Sequence, residues 1–191
     1  MIKKLLAIVL LFLVPLMADE LQSLQNDLRK RIDTITMYLT DKTLSKADKN
    51  QNILSTVDSV LDFTLMSQLS LDKTVRAKLT PEELKEFNTL FEKEIKDSFL
   101  TKLENYSNEK IELKNSVKTQ PNRISVFSVI KGKKEDMEVV FKYYLVSEGL
   151  WKIYDLEIAG VSLIQSYRTQ FSEIVTKDGV TKLLEKLRQK Q

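Results

Sequence analysis

Histidine and cysteine are both absent from the 191 residues, which removes most of the side-chain chemistry that a hydrolase or a metalloenzyme would use. Without imidazole there is no Ser-His-Asp or Cys-His nucleophile, no imidazole proton shuttle and no His-ligated zinc or haem. Without thiols there is no disulfide, no Cys-ligated zinc or iron–sulfur cluster, and no cysteine to carry a lipid at a processed N-terminus. Neither GxxxxGK[ST] nor GxGxxG occurs, so no phosphate-cradling loop is expected. Carboxylates remain. In the run Trp151 to Ile158, simple alternation places Asp155 on the face of Trp151 and Ile153 and opposite Tyr154. An acid turned inward among tyrosines could enolise a carbonyl compound. The plainer alternative is that Asp155 pairs with a cation such as Arg168 or caps a backbone group.

The elements that would position such residues follow from the periodicity. Met1 to Ala18 has two lysines, an apolar stretch from Leu5 to Val14, Pro15 and a small-residue end, the layout of a cleavable signal peptide, shorter than a membrane span. Residues 19–191 then form one domain outside the cytoplasm. Cleavage removes Lys3 and Lys4 from the 30 basic residues and none of the 27 acids, leaving 28 against 27. That balance, and the lack of interleaved basic and aromatic residues, argue against nucleic acid as a partner.

Leu21, Leu24, Leu28, Ile32, Ile35 and Leu39 recur at helical steps. Residues 53–71 read as a second helix and its turn. Thr80-Pro81-Glu82-Glu83 carries a capping residue, Pro at the first helical position and Glu three residues after the cap, so a helix starts there and runs to about Tyr106. Beyond Ser107 the period changes to two. Four strands separated by short turns at Gln120-Pro121-Asn122, Lys131-Gly132-Lys133 and Ser147-Glu148-Gly149 predict an antiparallel meander that closes at Gly160. Ser162 caps a last helix, divided by Gly179. Helices, then a four-stranded antiparallel sheet, then helices make an α+β layer architecture with the sheet covered by helices.

The facing stripes carry many aromatic residues, among them Phe63, Phe91, Phe99, Phe127, Phe141, Tyr143, Tyr154 and Tyr167. Composition leaves two readings open, a solid core or the lining of a cavity. The charged C-terminal stretch Lys182, Glu185, Lys186, Arg188 and Lys190 reads as a solvated helix face, with docking to a partner or an anionic membrane as the alternative.

One segment is more specific. Gly149-Leu150-Trp151-Lys152-Ile153-Tyr154-Asp155, then Gly160-Val161-Ser162-Leu163, then Tyr167-Arg168-Thr169-Gln170-Phe171 resembles the signature of the MlaC, or toluene-tolerance, family of periplasmic phospholipid-binding proteins. Asp62-Phe63 with Met66 and Leu69, and Leu79 to Glu83 with Phe87 and Phe91, are similar to the helical half of that family. Leu71-Asp72 followed by Thr74-Val75-Arg76 departs from it, where many members have Leu-Gly and an aromatic-Trp-Arg stretch.

The resemblance implies an NTF2-like or cystatin-like fold with a hydrophobic lipid pocket between sheet and helices. Its implied lining is Phe63, Met66, Phe91, Phe99, Phe127, Phe141, Tyr143, Tyr154, Leu163 and Tyr167, while Trp151, Asp155, Gly160, Ser162, Arg168, Gln170 and Phe171 form the signature. It further implies a monomer without catalytic residues, metal or cofactor, whose ligand is phospholipid. The partners so implied are an outer-membrane lipoprotein and porin complex and an inner-membrane ABC transporter with its substrate-binding subunit, with transient membrane contact. The rival functions are a small-molecule enzyme of ketosteroid-isomerase type using Asp155 with Tyr143 or Tyr154, and a ligand-free interaction module.

Overall fold

The computed structural model describes residues 2–133 and 135–190, with side chains from Asp19 onward. Residues 1–18, the expected signal peptide, lie outside the residues whose side chains are described. Helices α1 (Ile2–Thr40), α2 (Lys46–Asp58), α3 (Phe63–Leu69), α4 (Lys73–Arg76) and α5 (Pro81–Leu103) lead into strands β1 (Lys110–Gln120), β2 (Arg123–Lys131), β3 (Met137–Ser147), β4 (Leu150–Ile158) and β5 (Val161–Ser162), and α6 (Leu163–Gln189) ends the chain. Among the described residues no helix is long and apolar enough to cross a membrane.

The helix starts are fixed by side chains that satisfy otherwise orphaned N–H groups. Thr80 and Glu83 form a reciprocal capping box at α5, with Pro81 in the first turn. Asp62 caps α3 and Asp72 caps α4. Ser162 accepts from the Gln165 N–H at the start of α6. Within α6, Gly179 has φ 84° and ψ 173°, a conformation that breaks the helical ladder and that L side chains rarely adopt. The stretch 53–71 is not one helix. It divides at residues 59–62, where the Ile153 N–H donates to the Val60 carbonyl at 2.8 Å and the Asp62 N–H donates to the Ile153 carbonyl at 2.9 Å. The chain is thereby tied, extended, along β4.

All five strands run antiparallel in the order β1-β2-β3-β4-β5. The four-stranded meander has the expected turns, and a two-residue fifth strand adds to β4 after a turn through Gly160 at φ 79°. Between them, β5 and the Val60–Asp62 segment cover the outer edge of β4. In β4 the alternation slips: Lys142 pairs with Asp155 but Tyr143 pairs with Ile153, so Tyr154 is the extra residue of a bulge. This corrects the expected facing. Asp155 lies on the face of Lys142, opposite Ile153, whereas Leu156, paired with Phe141, returns to the face of Ile153.

Buried apolar side chains form two clusters. One is wholly helical, with Met66, Phe87, Phe91, Phe171 and Leu183 at its centre. The other packs α1 residues Leu24 and Leu28 with Val60 onto Ile124, Val126, Tyr143 and Ile153 of the sheet. Leu61 touches both, so it marks the seam.

Candidate functional site

The ten lining candidates do not converge on one chamber. Met66 and Phe91 are fully buried in the helical cluster, and Phe63, Leu163 and Tyr167 pack against it. Phe141 and Tyr143 belong to the cluster beneath α1. Phe99 and Tyr154 belong to neither cluster and Phe127 lies on the open face of the sheet, 37% exposed. Register explains Phe127: it opposes Val140 on the face turned away from Ile124 and Tyr143. Tyr154, displaced by its bulge, stacks at 4.8 Å on the Arg123 guanidinium, which also lies 4.7 Å from Tyr144.

The helical cluster is interlocked by its aromatic rings. Phe171 meets Phe87 edge-on at 5.5 Å and Phe91 at 6.1 Å, and Tyr167 meets Phe91 at 5.3 Å. Two polar ties hold α6 to α3 and α4. Arg168 donates from Nε at 2.7 Å and from a terminal nitrogen at 2.5 Å to the Leu69 carbonyl at the end of α3. Ser172 donates to Asp72, which also accepts from the Thr74 hydroxyl and the Val75 N–H. The Ser172 hydrogen bond, with those from Thr74 and Val75, holds the Asp72 carboxyl well below the usual carboxylate range. Asp72, the residue at which the chain departs from the family pattern, therefore makes a tight polar turn.

Asp155 is buried, and its oxygens are engaged. It accepts from the Ser162 hydroxyl at 2.7 Å and the Ile164 N–H at 3.1 Å, with the Lys142 ammonium at 3.4 Å. The carboxylate thus joins β4 to the N-terminus of α6, where the helix dipole favours negative charge. This is the backbone-capping role; the cation beside it is Lys142 rather than Arg168. A base for enolisation must be free to take a proton from substrate, and this one is held in the fold. Trp151 packs on the cluster beneath α1, with the Lys118 ammonium 5.9 Å from its ring.

Sequence reasoning missed a polar group at the end of the sheet. Arg31 of α1 donates to Asp27 at 2.6 Å and to the Ser59 hydroxyl, while the Lys152 ammonium donates to the Ser59 carbonyl at 2.5 Å. The Tyr143 phenol is buried on the sheet face that α1 covers. Burial first, then the Asp27 carboxylate, push it far above its ordinary range, with Arg31 opposing. These residues are 28 and 93 positions apart along the chain, so no local pattern announces them. Elsewhere, Leu163, Ser166, Tyr167, Gln170 and Lys190 line an open groove of about 370 Å³ on α6. Tyr167, raised to about 12 by burial and by Glu94, donates to that carboxylate, and Lys190 pairs with it at 2.6 Å. Arg188 pairs with Glu86, so the C-terminal charges fasten α6 to α5.

A sheet roofed by an amphipathic helix, an apolar interior in two parts, and an acid committed to helix capping define an α+β fold in which Asp155 is held by the structure. The family model described as "MlaC protein" matches residues 29–189, and the chain belongs to this family of periplasmic phospholipid-binding proteins, which are lipid carriers and not enzymes. Among solved structures, the fold is similar to that of a phospholipid-binding protein from Ralstonia solanacearum in complex with a phospholipid. The TM-score is 0.71 at 22% identity, over 86% of this chain and 94% of that one. No curated protein matches the chain.

Proposed function

We propose that this protein is exported by cleavage after Ala18 and carries glycerophospholipid across the periplasm between an outer-membrane lipoprotein and porin complex and an inner-membrane ABC transporter with its substrate-binding subunit, maintaining outer-membrane lipid asymmetry. The observation that carries this reading is the family match, which runs from within α1 to the end of α6. The tails enter between the inner sheet face and the helices, parting the two clusters at Leu61. Phe141 and Tyr143 then line them from the sheet, and Phe63 and Phe99 from α3 and α5. Met66 and Phe91, with Leu163 and Tyr167 against them, belong to the helical cluster that backs this site and stays closed.

The physical case for a carrier is one of magnitude. A methylene exposed to water costs about 0.8 kcal/mol, so a tail of some fifteen methylenes faces about 12 kcal/mol if it crosses water bare. An apolar interior removes most of that barrier. Because membrane and protein interior are similarly apolar, loading and release lie near balance, and direction comes from the partners. No bond is broken, so the lack of His and Cys is no handicap. The phosphate stays near solvent, because burying its charge without a partner is expensive.

Mass spectrometry of the organic extract from purified mature protein tests the reading. Diacyl phospholipid in stoichiometric amount is expected. An empty protein would favour the ligand-free interaction module, and a polar metabolite would favour the small-molecule enzyme.

A further inference from the structure

Among the described residues, two buried side-chain atoms have no hydrogen-bond partner, the hydroxyls of Tyr143 and Ser116. Both lie on the same face of the sheet. Tyr143 pairs with Ile124 and Ser116 with Val126, and both of those residues pack beneath α1. Tyr143 is 1% exposed, so its phenol has given up water without gaining a protein acceptor. A buried hydroxyl in that condition costs stability unless something else serves it. The Asp27 carboxylate, whose charge acts on the phenol, is engaged by Arg31 at 2.6 Å.

We propose that the Tyr143 hydroxyl donates a hydrogen bond to an acyl ester carbonyl of the bound lipid. The inference rests on the phospholipid reading above and gives it a polar contact. The acceptor must be neutral, because Leu24, Leu28, Val60, Ile124 and Ile153 make this layer apolar and an unpaired anion there would be costly. A diacyl lipid carries its ester carbonyls where the tails begin, so they arrive at the boundary between apolar layer and polar rim. Tyr143 stands at that boundary: its ring is in the cluster, its cross-strand partner is Ile153, and the neighbouring Lys152 meets Arg31 at Ser59. Burial keeps the phenol protonated, hence a donor. The phosphodiester then lies outward, toward Arg31 and Lys152, which meet at Ser59.

The test compares two lipids of equal headgroup and chain length, a diacyl phosphatidylglycerol and its dialkyl ether counterpart, which lacks the carbonyls. Delipidated wild-type protein should bind the ester lipid about tenfold more tightly, the size of one neutral hydrogen bond in a buried site. Tyr143→Phe should bind both lipids equally, at the level of wild type with the ether lipid. Its melting temperature without lipid should match or exceed that of wild type, because the unserved hydroxyl is gone. Equal affinity of wild type for the two lipids, as when water serves the phenol, overturns the proposal, and so does discrimination that survives in Tyr143→Phe. The wild-type comparison needs no variant to fold. If wild type binds neither lipid, the phospholipid reading itself fails.

Discussion

The two apolar clusters are built on opposite plans. In the helical one, four rings interlock, Met66, Phe87 and Phe91 have no exposed surface, and the loose backbone ends are tied by Arg168 on the Leu69 carbonyl and Ser172 on Asp72. Both clusters have partly buried apolar residues at their margins, but the layer beneath α1 alone leaves buried hydroxyls, those of Tyr143 and Ser116, without partners among the described residues. Packing of the first kind is hard to open, because parting the interlocked rings exposes several large apolar side chains at once. Packing of the second kind gives up less when it parts. On the lipid-carrier reading proposed above, the helical cluster serves as the frame and the sheet with α1 as the adaptable wall.

The comparison is broken most forcefully by damaging the frame. Phe91→Ala removes the ring at its centre and should lower unfolding free energy by about 3–5 kcal/mol, measured by urea titration. Lipid per folded molecule should stay unchanged; loss of lipid without loss of stability would assign Phe91 to the tail site instead. Arg168→Ala leaves the Leu69 carbonyl without its two donors and should cost about 1–3 kcal/mol, again with lipid content intact. Thr80→Ala opens the capping box of α5 at a cost of about 1 kcal/mol and should leave lipid binding untouched.

A smaller effect sharpens the contrast through pH. The folded-state pKa of Asp72 is depressed, so its contribution to stability is present above the unfolded value near 4 and is lost as pH falls toward the folded one. Wild type should therefore lose more stability than Asp72→Asn between pH 5 and pH 2, read from denaturant melts at each pH. Parallel curves would show that the Ser172 tie contributes nothing.

Much of the frame was legible in the sequence because its signals are local. Thr80 to Glu83 announced α5, Ser162 and Gly179 marked the start and the break of α6, and the three strand turns stood where Pro, Gly and polar residues cluster. The wall was less legible, for physical reasons. A bulge adds one residue without any change of composition, so alternation placed Asp155 on the wrong face. Val57, Val60 and Leu61 keep helical spacing, yet pairing with Ile153 pulls the chain straight, a tertiary contact overriding a local pattern. Apolar type alone does not say which cluster a residue joins. Thus Phe141 and Phe91 looked equivalent, whereas alternation already set Phe127 on the face opposite Ile124 and Val126, where the structure has it.

Where the tails lie is best tested by a phospholipid carrying a photoreactive diazirine in one acyl chain, loaded into the mature protein, illuminated and mapped by peptide mass spectrometry. The account predicts label on inner-face residues of β2, β3 and β4, on the facing side of α1, and on α3 and α5 around Phe63 and Phe99. Label confined to the α6 groove around Gln170 and Lys190, or none above the background of a bystander protein, would contradict it.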